Sequence, residues 1–89
     1  MELAGYKHPI LYPLITEDAI NQIESENKLI FIVNLRANKS EVKKAIEEMY
    51  EVKVEQVNLL RTSKGLKKAF VKLTSDFKSS DLAIKLGIF

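Results

Sequence analysis

The residues that suggest a chemical role most directly are basic, and they gather in residues 58–73. This stretch holds five cations and no acid, namely Arg61, Lys64, Lys67, Lys68 and Lys72. Two apolar segments flank a polar turn at Ser63-Lys64-Gly65, where glycine permits φ > 0, and this pattern predicts a β-hairpin. Like charges on one hairpin repel each other unless a polyanion neutralises them, and a phosphate backbone does so. The alternative is that the lysines aid solubility or protect an edge strand.

The second strand of this hairpin alternates between two kinds of side chain. Lys68, Phe70 and Lys72 share one face, and Ala69, Val71 and Leu73 share the other. An aromatic ring between two lysines suits stacking on a base. A core phenylalanine flanked by lysine stems would give the same pattern.

A second basic cluster opens a predicted helix. Lys39, Lys43 and Lys44 lie toward its N-terminal end, after Arg36 and Asn38. Each cation there opposes the helix dipole by roughly 0.3–1 kcal/mol. Because helix N-termini favour anions, we interpret this turn as facing phosphates. Plain solvation of a surface helix is the alternative.

Catalytic and metal-binding patterns are missing from the sequence. There is no cysteine, and His8 is the only histidine. No glycine-rich phosphate loop or nucleophile motif occurs, and the acids do not follow metal-ligand spacing. We therefore expect no enzyme, metal, cofactor or small-molecule substrate. His8, with Tyr6 and Lys7, is a candidate RNA contact.

Composition predicts one globular domain over residues 1–89. The chain is 46% hydrophobic and 29% charged, which is ordinary for such a fold. Residues 1–51 carry 6 Lys and Arg against 9 Asp and Glu, and residues 52–89 carry 8 against 3. The net charges of −3 and +5 place the basic character in the second half, where it favours an anionic partner. No signal-peptide pattern or membrane-length apolar run occurs, so a cytoplasmic location without membrane insertion is expected.

Hydrophobic periodicity predicts the elements that position these residues. The apolar run Leu29–Leu35 predicts a central strand that is buried on both faces. The other predicted elements are a strand at Pro9–Tyr12, a helix from Glu17 to about Ser25, a helix at Lys39–Tyr50, strands near 52–61 and 67–73, and a helix at Ser79–Leu86. The predicted fold class is α+β in the order β-α-β-α-β-β-α, with helices on a single four-stranded mixed or antiparallel sheet, ferredoxin-like in part.

These segments together resemble large-subunit ribosomal protein twenty-three, in its archaeal and eukaryotic form. The resemblance runs from about residue 6 to the end of the chain. The segments that carry it are Pro13-Leu14-Ile15-Thr16-Glu17-Asp18-Ala19, Asn27-Lys28-Leu29-Ile30-Phe31-Ile32-Val33, Arg36-Ala37-Asn38-Lys39 with Val42-Lys43-Lys44-Ala45-Ile46, Val57-Asn58 with Lys64-Gly65-Leu66-Lys67-Lys68-Ala69-Phe70-Val71-Lys72-Leu73, and Asp81-Leu82-Ala83-Ile84-Lys85-Leu86-Gly87-Ile88-Phe89.

The resemblance implies a non-catalytic protein bound to large-subunit rRNA beside the exit of the nascent-chain tunnel. It also implies a neighbouring ribosomal protein, number twenty-nine, and a docking surface for nascent-chain factors such as the signal recognition particle. Glu17 matches a bacterial chaperone-anchoring glutamate, and Asp18 stands where that motif has lysine. The residues expected to contact RNA are Tyr6, Lys7, His8, Tyr12, Thr16, Arg36, Asn38, Lys39, Lys43, Asn58, Arg61, Lys64, Lys67, Lys68 and Lys72.

The main alternative is a free-standing RNA recognition motif that binds single strands. The segment 30–35 fits its first-strand signature, with Phe31 as the aromatic residue, and residues 69–73 faintly resemble its third-strand signature. Against it, Lys67 and Lys68 interrupt the second signature, and no fourth strand follows the last helix. A small ligand-binding regulator is a third option, but it leaves the cation cluster unexplained.

Overall fold

The computed structural model describes residues 8–88, which fold in the predicted order of elements. The elements are β1 (Ile10–Pro13), α1 (Glu17–Glu26), β2 (Lys28–Val33), α2 (Lys39–Tyr50), β3 (Val54–Arg61), β4 (Lys67–Leu73) and α3 (Ser79–Lys85). The α+β class predicted from the sequence is confirmed.

The four strands form one sheet in the order β1-β2-β4-β3. All three pairings are antiparallel, which resolves the choice between a mixed and an antiparallel sheet. β2 and β4 lie inside the sheet, and the short β1, which ends at Pro13, lies at an edge where proline costs no ladder bond.

One hydrophobic core joins the three helices to a single face of the sheet. β2 contributes Leu29, Phe31 and Val33, and β4 contributes Ala69, Val71 and Leu73. The helices pack on them with Ile23 of α1, Val42 and Ile46 of α2, and Leu82 and Ala83 of α3. We call this side of the sheet the covered face.

The first two helices begin where capping side chains replace missing backbone partners. Thr16 Oγ1 accepts the N–H of Ala19 at 3.2 Å before α1. Before α2, Asn38 and Glu41 form a reciprocal capping box, which satisfies two backbone donors at once. Both starts agree with the predicted bounds.

Two strands are shorter than predicted because side chains take over their backbone bonds. β2 ends at Val33 rather than Leu35, since Asn34 Oδ1 accepts the N–H of Arg36 at 3.0 Å and turns the chain. β3 begins at Val54 rather than near residue 52. Glu47 Oε2 accepts the Val54 N–H at 2.9 Å, which ties the end of α2 to the start of β3.

Asn27 connects α1, the end of β4 and the start of α3 at the end of the sheet that lies opposite the hairpin turn. It ends α1 in the left-handed conformation, with φ 57°. Its Oδ1 accepts the N–H of Ser79 at 2.7 Å, and its Nδ2 donates to Phe77 O at 3.0 Å and to Leu73 O at 3.2 Å. The buried Ser79 donates its hydroxyl to Ile23 O at 2.8 Å. The start of α3 is thereby tied to α1 and to the end of β4.

Candidate nucleic-acid interface

The sheet face opposite the core carries four of the predicted RNA contacts, Tyr12, Asn58, Lys68 and Lys72, together with other side chains suited to nucleic acid. All three helices pack on the covered face, so within residues 8–88 no helix lies over the other one, which we call the open face. Strand register places on it Tyr12, Lys28, Ile30, Ile32, Gln56, Asn58, Leu60, Lys68, Phe70 and Lys72.

The open face is arranged in three cross-strand rows. Tyr12, Ile32, Lys68 and Leu60 form the first row. Ile30, Phe70 and Asn58 form the second, and Lys28, Lys72 and Gln56 form the third. Directly opposed residues lie about 5 Å apart. Lys68 therefore lies between Ile32 and Leu60, whereas Lys72 lies between Lys28 and Gln56, so the third row places two lysines side by side.

The charged side chains in the three rows are all lysines. Lys68 and Lys72 form no ion pair within the described chain, and no acid belongs to the three rows. Glu26 lies at the margin, where its Oε1 is 3.1 Å from Lys28 Nζ. A partly exposed ion pair of this kind contributes little to the free energy of folding. Lys28 can therefore still bind another anion, such as a phosphate.

The aliphatic centre of the open face is closed to water. Ile32 is only 1% exposed, although it points away from the helices. Its row neighbours are Tyr12 and Lys68, and long side chains of this kind lay their apolar parts over such a residue while their polar ends stay in water. The face is therefore an apolar floor with polar and cationic groups around it.

The hairpin cations do not form one surface. Lys68 and Lys72 point to the open face, whereas Arg61 and Lys67, which are cross-strand partners, point to the other side. Lys67 Nζ donates to Ala37 O at 2.7 Å and to Leu35 O at 3.3 Å. The ammonium of Lys67 thus links the start of β4 to the loop before α2. Its role in RNA contact stays a prediction.

The hairpin turn itself is well defined. Thr62 N–H donates to Leu66 O at 2.8 Å, and Leu66 N–H donates to Thr62 Oγ1 at 3.2 Å. Gly65 has φ 82°, as the turn signature requires. Lys64 is exposed in this turn and Arg61 is exposed at the end of β3, so both can meet an anion.

The N-terminal turn of α2 can attract an anion through its side-chain charges more than through free backbone N–H groups. Arg36, Lys39 and Lys43 are exposed there, as is Asn38. Asn38 Oδ1 already accepts the Glu41 N–H at 2.8 Å, and Glu41 Oε1 accepts the Asn38 N–H at 3.1 Å. A carboxylate placed on the helix start competes with a phosphate for it. The predicted phosphate contacts at this turn remain predictions.

The remaining predicted site residues lie around β1 and α1. His8 is exposed, and its Nδ1 accepts the N–H of Ile10 at 3.1 Å. Thr16 is the N-cap of α1, and Glu17 and Asp18 are exposed in its first turn. Tyr6 and Lys7 lie outside the described residues.

Lys28, Gln56 and Leu60 of the open face are not among the residues predicted to contact RNA. Lys28 precedes the apolar run that predicts β2, which begins at Leu29, so the pattern does not include it in the strand. Its parity with Ile30 and Ile32 is the signal that places it on the same face as Lys72. Gln56 and Leu60 share the parity of Asn58 in the same way.

The direction in which the side chains of β2 point argues against an RNA recognition motif. That module stacks bases on aromatic residues of its open sheet face. Here the signature aromatic, Phe31, is 0% exposed and lies on the covered face, where its ring stacks on Tyr50 with centroids 6.4 Å apart. Phe70 alone of the two signature aromatics lies on the open face.

Within residues 8–88, no cluster of three or more His, Cys, Asp or Glu side chains is placed to hold a metal ion. In the same range, none of the helices has the length and apolar character needed to cross a membrane.

An antiparallel sheet with helices on one face and lysines around an apolar floor on the other defines a class of α+β proteins suited to nucleic-acid binding. Comparison with protein families is more specific. The family model described as Ribosomal protein L23 matches residues 8–80. The chain belongs to this family and is a structural protein of the large ribosomal subunit, which acts in translation in the cytoplasm. The family expected from the sequence is thereby confirmed.

Proposed function

We propose that the chain binds large-subunit rRNA through the open face of its sheet. The observation that carries this proposal is the set of Lys28, Lys68 and Lys72 around an apolar floor, with no acid in the three rows. The family supplies the context, because a structural protein of the large subunit is surrounded by rRNA and other ribosomal proteins.

The open face suits backbone contacts better than base reading. Its lysines are point charges that pair with phosphate oxygens, and Asn58 and Gln56 add amide donors and acceptors for sugars and phosphates. Lys68 and Lys72 are four residues apart on β4, which separates them by about 14 Å along the strand. Phe70 lies between them and offers a flat surface for one ribose or one unpaired base.

We also infer a position beside the exit of the polypeptide tunnel, next to ribosomal protein twenty-nine. This inference rests on the resemblance to the family and places the first turn of α1 among the surfaces that meet nascent-chain factors such as the signal recognition particle. The exposure of Glu17 and Asp18 agrees with such docking. We expect Glu17→Lys to leave incorporation into large subunits intact and to weaken binding of the particle, and lost incorporation would contradict the docking role.

The RNA proposal is tested by the salt dependence of binding to large-subunit rRNA. The variant is Lys68→Glu with Lys72→Glu. The matched control is Lys78→Glu with Lys85→Glu, where Lys78 precedes α3 and Lys85 ends it. Each phosphate contact contributes about 0.7–0.9 to the slope of log K against log salt. The open-face variant should therefore flatten the slope by about 1.4–1.8, while the control keeps the slope of the unmodified protein.

Two results would overturn the proposal. One is an unchanged slope for the open-face variant when circular dichroism shows that it is folded. The other is an equal loss of slope in both variants, which would mean that RNA responds to net charge rather than to this face.

A further inference from the structure

Three exposed leucines line one groove at the end of the sheet where the hairpin turns. Leu11 of β1 is 50% exposed, Leu35 of the β2–α2 loop is 45% exposed, and Leu66 of the hairpin turn is 40% exposed. Together with Val33 they bound a groove of about 400 Å³. We call it the leucine groove. Large apolar side chains that converge from three separate elements mark an interaction site more strongly than scattered ones do.

The walls of the leucine groove are held in place before any partner arrives. Lys67 Nζ bonds to the carbonyl of Leu35, and the two backbone N–H groups of Thr62 and Leu66 are both satisfied within the turn. A preformed groove does not pay the cost of ordering its own loops on binding. Its volume is also in the range of ordinary ligand and peptide pockets.

The charge around the leucine groove is positive. No acid contributes to its lining, whereas Arg36 and Lys67 do. The ammonium of Lys67 is engaged by carbonyls, and the exposed Arg36 guanidinium is available to a carboxylate. Apolar walls beside a cation complement an apolar side chain that has an acid next to it.

We infer that the leucine groove binds a protein segment that carries leucine-like side chains next to aspartate or glutamate. The three leucines offer no donor to phosphate or to base edges, so the apolar walls favour a protein side chain over RNA, and within residues 8–88 Arg36 is the one free cation of the lining. The groove shares no residue with the open face. Arg36 and Lys67 of the lining are also among the residues expected from the sequence to contact RNA, but the rRNA proposal rests on the open face, so the two proposals can fail separately.

The test is a selection of 12-residue peptides on the immobilised full-length protein. Selected peptides are then measured against Leu35→Ser with Leu66→Ser, and against Leu60→Ser as the matched control. Leu60 is 53% exposed on the same hairpin but belongs to the open face. All three substituted leucines are exposed, so the variants should keep the fold, which circular dichroism verifies. An RNA duplex of 18 base pairs is titrated into the same proteins.

We expect the selected peptides to combine apolar and acidic residues and to lose at least tenfold in affinity for the groove variant. Their affinity for the Leu60→Ser control should stay within twofold, and Arg36→Glu should weaken them in proportion to their acid content. The inference is overturned if the peptides bind the groove variant as well as the unmodified protein, or if basic peptides dominate. It is also overturned if duplex RNA, rather than any peptide, depends on Leu35 and Leu66.

Discussion

The side chain of Asn27 should contribute strongly to the stability of the fold. Its side chain satisfies the N–H of Ser79 at 2.7 Å and the carbonyl of Phe77 at 3.0 Å, with a further carbonyl, that of Leu73, at 3.2 Å. A typical internal hydrogen bond contributes about 0.5–1.5 kcal/mol net, and a buried donor without its partner costs about 1–3 kcal/mol. Removal of the side chain should therefore lower the free energy of unfolding by about 1–3 kcal/mol.

Two substitutions separate the side chain of Asn27 from its backbone. Asn27→Gly loses the hydrogen bonds but tolerates φ 57° without strain. Asn27→Ala loses the same bonds and keeps a Cβ in the left-handed region, so it should be about 1–2 kcal/mol less stable than Asn27→Gly. For a domain of this size, each kcal/mol of that difference should lower the Tm of the alanine variant by about 4–8 °C relative to the glycine variant. Asn21→Ala is the control, since Asn21 is exposed on the same helix.

The assay is thermal and urea unfolding of the full-length chain, with hydrogen exchange at the amide of Ser79. We expect the order of stability to be unmodified protein, then glycine, then alanine, with the Ser79 amide exchanging faster in both variants. Equal stability of the two variants would refute the argument from the left-handed backbone. Unchanged protection of the Ser79 amide would refute the hydrogen-bond argument.

Two further predictions concern single side chains. Lys67→Met keeps the aliphatic stem but loses the bonds of the ammonium, so it should destabilise the fold by about 1–2 kcal/mol, whereas Lys64→Met should leave the urea midpoint unchanged. Equal effects of the two would mean that Lys67 has no internal role. Burial raises the pKa of Tyr50 above its ordinary value of 10.0, so the unfolded chain ionises first and stability is lost as pH rises from 10 through the folded pKa. Tyr50→Phe should reduce the loss of urea stability between pH 9 and pH 11, and an identical loss in both proteins would contradict this.

The fold could be predicted from the sequence because its local signals agree with one another. α2 was predicted with the bounds that it has, since Asn38 and the apolar stripe of Val42 and Ile46 mark its start and its buried side. The errors occur where a distant partner decides. Glu47 of α2 holds the start of β3 through Val54, and no pattern within residues 52–54 contains that information.

The candidate site was predicted less completely, because a list of cations does not say which way each one points. Residues 58–73 were treated as one basic cluster, yet strand alternation sends Lys68 and Lys72 to one face and Arg61 and Lys67 to the other. The alternation of β4 was recognised from the sequence. The sequence shows that Lys28 shares its parity with Ile30 and Ile32, but only the pairing of β2 with β4 puts that face beside Lys72.

Lys67 shows why charge counting overstates a binding surface. Its position in the hairpin and its charge are those of an RNA contact, but its ammonium lies 2.7 Å from the carbonyl of Ala37. A lysine that satisfies backbone carbonyls loses part of its attraction for an outside phosphate, because the new contact must replace bonds that already exist. Among the hairpin cations, Lys68 and Lys72 point away from the helices, and Arg61 and Lys64 are exposed near the turn, so these four stay available to an anion. Strand alternation thus gives the cations of residues 58–73 different roles. Lys67 holds one wall of the leucine groove in place, and Lys68 and Lys72 supply positive charge to the open face.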